Sequence, residues 1–536
     1  MMTIVRLSRL NRLILILLLA VTSLIPFVVS SVYGTVDPFT HGEIASTILL
    51  IKNGVLVSGQ SNIEFTPAVG VLLAGSSFAT GIPVQILAYS PIAGTFAVLT
   101  VFVLARRLMR DTIAAMLVVN VLSYRFYSPF LFGTWPHSFG YTFFLLFVFV
   151  FARYSGSRSP SLLILLLLVF FGNHFYSYNG ELWIVAFLLF AEFARLILHQ
   201  RDRTPTASLG RLRSTSSLVA AIVVTFVTFN QVIYGAYIPR FSAVQSEWTV
   251  TFRYYISVIF RTVPPVKYAY VPAPSPPLLL SSNVAWLSLA YVPLLVGIVV
   301  AAKNRAELRQ AISSGAARKW LIVGALIMVW PVDILIYLPI GAAAIATTRY
   351  LTFIAPLVSP LALVFLLRHR IRIRKTSANT AVSVYLAVLA LLAVASFGLT
   401  MANGYWVASP VHYTDADSGA RWLFSESPST SSIFSDQNTQ GEYAIVSAAA
   451  GKWFFSNNLY NSSSFSQLVN PTVPPSTGGY FHGAFLVVNL NLANTSTKAG
   501  GWLDFQPLSP YLSSINGNPA MSEVYDDGNS WILSGV

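Results

Sequence analysis

Three titratable side chains stand within seven residues in Gly34-Thr-Val-Asp37-Pro-Phe-Thr-His41-Gly-Glu43. A carboxylate just beyond the end of an apolar run is partly desolvated at a membrane face. There it can act as a general base or hold a cation. His41 lies four residues on and shares a face with Asp37 if the stretch is helical. Pro38 suits the first turn of such a helix, with Asp37 as its N-cap, so capping alone is the competing role for Asp37. Glu43 completes the catalytic candidates. Glu64, in Asn62-Ile-Glu-Phe-Thr-Pro67, either faces the same site or is a solvated loop residue.

Further candidates sit at the ends of other apolar runs. His137 (in Trp135-Pro-His137), His174 (in His174-Phe-Tyr-Ser-Tyr178) and Glu181 either line a cavity or are hydrogen-bonded structural residues. His174 and Glu181 could also share a divalent metal, Mg or Mn, although no ligand spacing specifies one. Arg349 opens a late run in Thr347-Thr-Arg-Tyr-Leu-Thr-Phe353. A cation there suits a lipid phosphate or pyrophosphate, against simple snorkelling to the interface. Arg253, Arg261 and Lys267 could serve the same end.

The elements that must position these residues follow from composition. The 536 residues are 55% hydrophobic and only 10% charged, with a mean hydropathy of +0.66. A soluble chain carries about 25% charged residues, so this is a polytopic α-helical membrane protein. Apolar runs fall at 12–32, 84–105, 112–130, 138–153, 161–176, 179–199, 217–238, 283–302, 320–340, 348–367 and 379–400, which predicts about eleven spans. The first run has a basic start and no clear cleavage site, and is read as a retained helix. With the N-terminus in the cytoplasm, most of the 33 Lys and Arg residues fall in short inner segments. Only Asp111, Glu192, Asp202 and Glu307 of the 19 acids join them. The net charge of +14 is thus a topology signal facing anionic lipid heads, and no nucleic-acid role follows from it. There is no cysteine, which excludes disulfides and thiolate metal sites.

This topology divides the chain into a transmembrane domain, 1–404, with long outer loops at 33–83 and 239–282, and an extracytoplasmic α/β domain, 405–536. Within the first loop, Ala68–Gly81 is apolar and rich in small residues, and is expected to form a short helix dipping into the interface. In the second domain, Tyr413–Phe424 is expected to be a helix. Ser432–Ser435, Gly483–Asn489 and Trp531–Leu533 are expected strands, with a turn at Tyr525-Asp-Asp-Gly528. Asn461-Ser-Ser and Asn494-Thr-Ser are glycosylation sequons on the outer side.

The pattern resembles the GT-C superfamily of membrane glycosyltransferases. Asp37-Pro-Phe-Thr-His41 looks like that family's site aspartate after the first span. Asn53-Gly54, Phe65-Thr-Pro67 and Gly81-Ile-Pro83 are similar to prokaryotic, especially archaeal, members. Arg349-Tyr350-Leu351 at the start of a late span and the C-terminal outer domain also fit. The resemblance implies an inverting transfer from a polyprenyl (dolichyl-type) phosphate sugar donor to a glycan or protein acceptor at the plasma membrane. In it Asp37 is the base and Arg349 stabilises the leaving phosphate. Oligosaccharyltransferase subunits carry a WWDYG-type motif and a second-loop acidic pair. Neither stands in this sequence, so single-sugar mannosyl- or arabinosyl-type transferases are the closer match. The rivals are a transporter, which predicts repeats and charged mid-spans, and a non-catalytic scaffold, which predicts no convergence of Asp37, His137, His174 and Glu181.

Overall fold

The computed structural model describes residues 9–33, 38–54, 68–89, 92–125, 136–157, 159–176, 178–199, 218–226, 277–303, 322–331, 354–370, 375–402, 416–426, 432–435, 437–449, 457–458, 484–490, 497–499, 503–505, 512–518 and 521–535. The described residues up to Ala402 are almost all helical. The helices are α1 (Arg9–Tyr33), α2 (Pro38–Asn53), α3 (Ala68–Thr80), α4 (Val84–Tyr89), α5 (Ile92–Met109), α6 (Thr112–Arg125), α7 (Pro136–Ser157), α8 (Pro160–Tyr176), α9 (Tyr178–His199), α10 (Pro277–Lys303), α11 (Ala355–Arg370) and α12 (Lys375–Ala402). Residues 218–226 and 322–331 are also helical. The apolar run at 84–105 divides into α4 and α5 on either side of Pro91, a residue with no N–H to continue a helix.

Several of these helices bury one side and turn an apolar side outward. Leu10, Leu17, Val21 and Leu24 of α1, Leu99 of α5, Leu168 of α8, Val292 of α10 and Leu391 of α12 are exposed. In water such a belt would be costly; in a bilayer it is the lipid-facing surface. By length and composition, two described helices are long and apolar enough to cross a membrane, Arg9–Pro26 and Thr380–Leu399. The inward faces meet in one core around Phe144, Phe147, Phe170, Phe187 and Leu326. Polar contacts fasten neighbours inside it. Asn120 of α6 donates through Nδ2 to Thr22 Oγ1 of α1 at 2.9 Å, and Tyr385 of α12 donates to the Leu289 carbonyl of α10 at 2.8 Å. At the turn between α5 and α6, Asp111 caps α6 by accepting from the Ile113 and Ala114 amides at 2.8 and 3.2 Å.

The C-terminal region builds a sheet. Its elements are α13 (Ala416–Glu426), β1 (Ile433–Ser435), α14 (Gln437–Ala449), β2 (Asn457–Asn458), β3 (Phe485–Asn489), β4 (Thr497–Ala499), β5 (Leu503–Phe505), α15 (Leu512–Asn516), β6 (Met521–Asp526) and β7 (Ser530–Gly535). The strand order is β2-β1-β3-β7-β6; β1 runs parallel to β2 and β3, while β7 is antiparallel to β3 and β6. The pair β4–β5 stands separately. Opposed apolar pairs such as Leu486 with Leu533 and Val487 with Ile532 set the register.

One feature of this packing positions the site. The helix α2 lies in a core shared by the two halves of the chain. Its Ile44, Ala45 and Leu49 join Val69 and Leu73 of α3, Leu87 of α4 and Phe139 of α7. From the C-terminal region come Leu423 of α13, Tyr443, Ile445 and Ala448 of α14, Val487 and Ile532. Lys52 at the end of α2 donates to the Ala449 carbonyl at the end of α14, a cation placed on a helix C-terminus.

Candidate functional site

The helices α8 and α9 turn back on each other between Tyr176 and Tyr178, so the last turn of one faces the first turn of the other. His174 of α8 and Glu181 of α9 meet there, with Nδ1 and Oε2 2.8 Å apart. Both are buried, at 2% and 1% exposure. An ionised carboxylate can only accept, so beside an ionised Glu181 the proton of this bond sits on Nδ1. The helix ends assist the pair. A cation is favoured at the C-terminus of α8 and an anion at the N-terminus of α9. The arrangement is an imidazole oriented by a carboxylate, the geometry used for proton transfer and also for a purely structural buried pair.

Asn173 adds a polar group that the sequence did not single out. It is fully buried beside His174, and neither carboxamide atom has a hydrogen-bond partner. An orphaned carboxamide costs about 1–3 kcal/mol. Its position is tied to Gly180. A Cβ added at Gly180 would lie 2.5 Å from the Gly140 carbonyl oxygen of α7 and 2.6 Å from Asn173 Oδ1. Only glycine lets α7 and α9 close to this distance around the Asn173 side chain. The floor is aromatic. Tyr176 stacks on Phe139 and Phe143, with centroids 4.8 and 5.3 Å apart, and Phe96 of α5 meets Phe143 edge-on.

Of the residues singled out from the sequence, His174 and Glu181 are thus brought together. His137 lies in the first turn of α7, one turn from Gly140, and so at the same end of the bundle. His41 and Glu43 lie in the first two turns of α2. The apolar cluster around α2 contains Phe139 and, at its edge, Phe143 and Tyr176, so α2 and the His174–Glu181 pair share a wall. The side chains of His41, Glu43 and His137 are outside the described part of the structure, as are Asp37, Glu64, Arg253, Arg261, Lys267 and Arg349 altogether. Among the described residues, no three His, Asp or Glu side chains cluster to hold a metal. One imidazole and one carboxylate at His174–Glu181 fall short of a Mg or Mn ligand set.

A second polar cluster sits on the β6–β7 turn. Asp527 accepts from the Asn529 and Ser530 amides at 2.9 and 2.6 Å, from the Tyr525 hydroxyl at 3.0 Å, and from the Ser418 hydroxyl of α13. Partial burial opposes its ionisation. The hydrogen bonds outweigh that effect and hold the carboxyl below its usual range. Burial, with the neighbouring Asp527 charge, pushes the Tyr525 phenol up. Trp422 of α13 stacks on Tyr525 at 5.2 Å. Every group here is engaged in holding the turn to α13.

The sequence matches no family model and no curated relative. Solved structures show what the fold resembles. The structure that carries this is the Archaeoglobus fulgidus oligosaccharyltransferase tethered to an acceptor peptide containing the NVT sequon. It aligns over 99% of this chain and 74% of its own, with a TM-score of 0.50 and 12% identity. The Cupriavidus metallidurans ArnT matches less closely. Its apo form has a TM-score of 0.42 at 12% identity, over 97% of both chains. Its form bound to undecaprenyl phosphate has a TM-score of 0.40 at 13% identity, over 97% of this chain and 98% of that one. At these identities the likeness speaks for the fold and assigns no role to any residue.

Proposed function

We propose that the protein is a membrane glycosyltransferase that moves a sugar from a polyprenyl-phosphate-linked donor to an acceptor on the outer face of the plasma membrane. The observation that supports this reading most is the company α2 keeps. The helix begins at Pro38, directly after Asp37, and packs into the same apolar cluster as the residues flanking His174–Glu181. In this reading Asp37, at the head of α2, and the buried imidazole–carboxylate pair serve one end of one bundle. The fold is shared with an enzyme that transfers oligosaccharide.

In this reading Asp37 takes the proton of an acceptor hydroxyl as its oxygen attacks the anomeric carbon. The bond from that carbon to the phosphate oxygen breaks, and the configuration inverts. The lipid phosphate leaves with its charge met by Arg349, and by Arg261 from the 239–282 loop. His41, Glu43, Glu64, His137, His174 and Glu181 line the acceptor and sugar side, and Asn173 joins them. The N-terminus is cytoplasmic, and the region 405–536 is an extracytoplasmic domain held against α2. The acceptor is a glycan or a protein. The archaeal fold neighbour takes a peptide acceptor, which favours a second reading of oligosaccharyl transfer to protein. The absence of a WWDYG-type motif favours the single-sugar reading.

The test is transfer of radiolabelled sugar from polyprenyl-linked donors in membranes, comparing wild type with Asp37→Asn. Loss of a general base lowers the rate by about 10²–10⁴-fold. Unchanged transfer would remove Asp37 from the chemistry.

A further inference from the structure

Between Glu64 and Arg106 the chain holds no charged residue. The helices α3 and α4 come from this stretch, and at 13 and 6 residues neither can cross a bilayer. They form a hairpin with two unlike sides. One side buries Val69, Leu73, Val84 and Leu87 against α2. The other presents Val71, Phe78, Ile82 and Ile86, and Phe78 is 73% exposed at the tip. Residues 78 to 83 are exposed without interruption.

Several polar groups of this exposed tip are paired internally. Ser77 Oγ donates to the Ile82 carbonyl at 2.7 Å. Thr80 Oγ1 donates to the Ser76 carbonyl at 2.6 Å and accepts from the Ile82 amide at 3.2 Å. The Gly81 amide, in a left-handed residue with φ of 69°, donates to the Ser77 carbonyl at 2.8 Å, and the Leu87 amide to the Pro83 carbonyl at 3.1 Å. Helix ends make capping bonds of this kind in water too; in hydrocarbon they are obligatory. Apolar exposure and the lack of charge over residues 78 to 83 call for the same surroundings.

We propose that the α3–α4 hairpin is a re-entrant element, with Phe78, Ile82 and Ile86 immersed among the acyl chains of the bilayer. It thereby anchors the flank of α2 in lipid. The proposal rests on the membrane fold and is independent of the reaction assigned above.

The chain contains no cysteine, so single introduced thiols report cleanly. Phe78→Cys and Ile86→Cys, each labelled with an environment-sensitive fluorophore, are reconstituted into phosphatidylcholine vesicles with or without doxyl-labelled acyl chains. Leu391→Cys on the outward face of α12 serves as the lipid reference, and Asp526→Cys on the β6–β7 turn as the aqueous one. The expected result is blue-shifted emission at 78 and 86, quenched by doxyl lipid to the extent seen at 391 and untouched by aqueous iodide. Iodide quenching at the level of 526 overturns the proposal. So does protection from both quenchers, which would mean that a protein partner covers the tip. Doxyl quenching at 391 shows in the same samples that the bundle itself is in the membrane.

Discussion

Two carboxylates in this molecule have opposite surroundings. Glu181 is buried at helix ends, with its Oε2 2.8 Å from the His174 imidazole. Asp527 is exposed on a hairpin and accepts four hydrogen bonds from its own turn and from α13. The second is an economical structural device, because solvent screens the charge and short-range donors fix the geometry. The first is an expensive arrangement, since burial takes both polar side chains out of water. Asn173, buried with neither carboxamide atom partnered, adds to that cost in the same place. Polar groups kept at such expense inside an apolar bundle are the candidates for function, whereas a saturated turn is a fastening.

The sharpest way to break this contrast is Glu181→Ala. It leaves His174 buried opposite an apolar group and is expected to destabilise the fold by about 3–5 kcal/mol. Thermal unfolding of the purified protein in detergent measures the loss, and a negligible shift would show that the pair matters to neither fold nor site. Glu181→Gln keeps an acceptor and should recover most of that stability while transfer stays low. Recovery of both would make the pair structural. Gly180→Ala places a methyl against the Gly140 carbonyl and Asn173, and is expected to cost about 1–3 kcal/mol as α7 and α9 move apart. Wild-type stability for this variant would mean that the two helices are not held at the distance seen.

Asp527→Asn should have the smallest effect, about 1 kcal/mol or less, with sugar transfer unchanged. A large fall in transfer would erase the distinction between the two clusters. The pH dependence of the turn follows from its two groups. The Asp527 carboxyl is held below the ordinary value near 3.9, so its contribution is present above that pH and is lost as the pH falls through the folded value. The Tyr525 phenol is raised above 10, so its contribution is present below that pH and is lost as the pH rises through the folded value. The protection of the Asn529 and Ser530 amides, taken as observed exchange relative to intrinsic exchange at each pH, should therefore be highest between these limits and fall on either side.

The helices were legible because long apolar runs leave few alternatives. α1, α6 to α10 and α12 stand over the runs read from composition. The strands β1, β3 and β7 carried the β-branched and aromatic residues that pattern reasoning detects. The helix α14 was missed because it opens with Gln437-Asn-Thr-Gln-Gly-Glu442, a loop-like composition. Its helical character is set by the buried Tyr443, Ile445 and Ala448, which belong to a core supplied by α2. The strand β2 is two asparagines, poor strand formers fixed by pairing with β1. His174 and Glu181 were legible as residues, but their pairing depends on how sharply α8 turns into α9. Asn173 carried no signal, since an amide in an apolar run looks the same whether it faces a carbonyl or nothing.

The contact between Lys52 and Ala449 joins residues 397 positions apart. Synthesis delivers α2 early and α14 late. At about 5–20 residues per second, α2 waits roughly 20–80 s for the helix that covers it. A chain released before residue 437 keeps Asp37, His41 and Glu43 but leaves the Ile44, Ala45 and Leu49 face without Tyr443, Ile445 and Ala448. The Ile44, Ala45 and Leu49 face of α2 is therefore covered only after the chain has been made as far as α14.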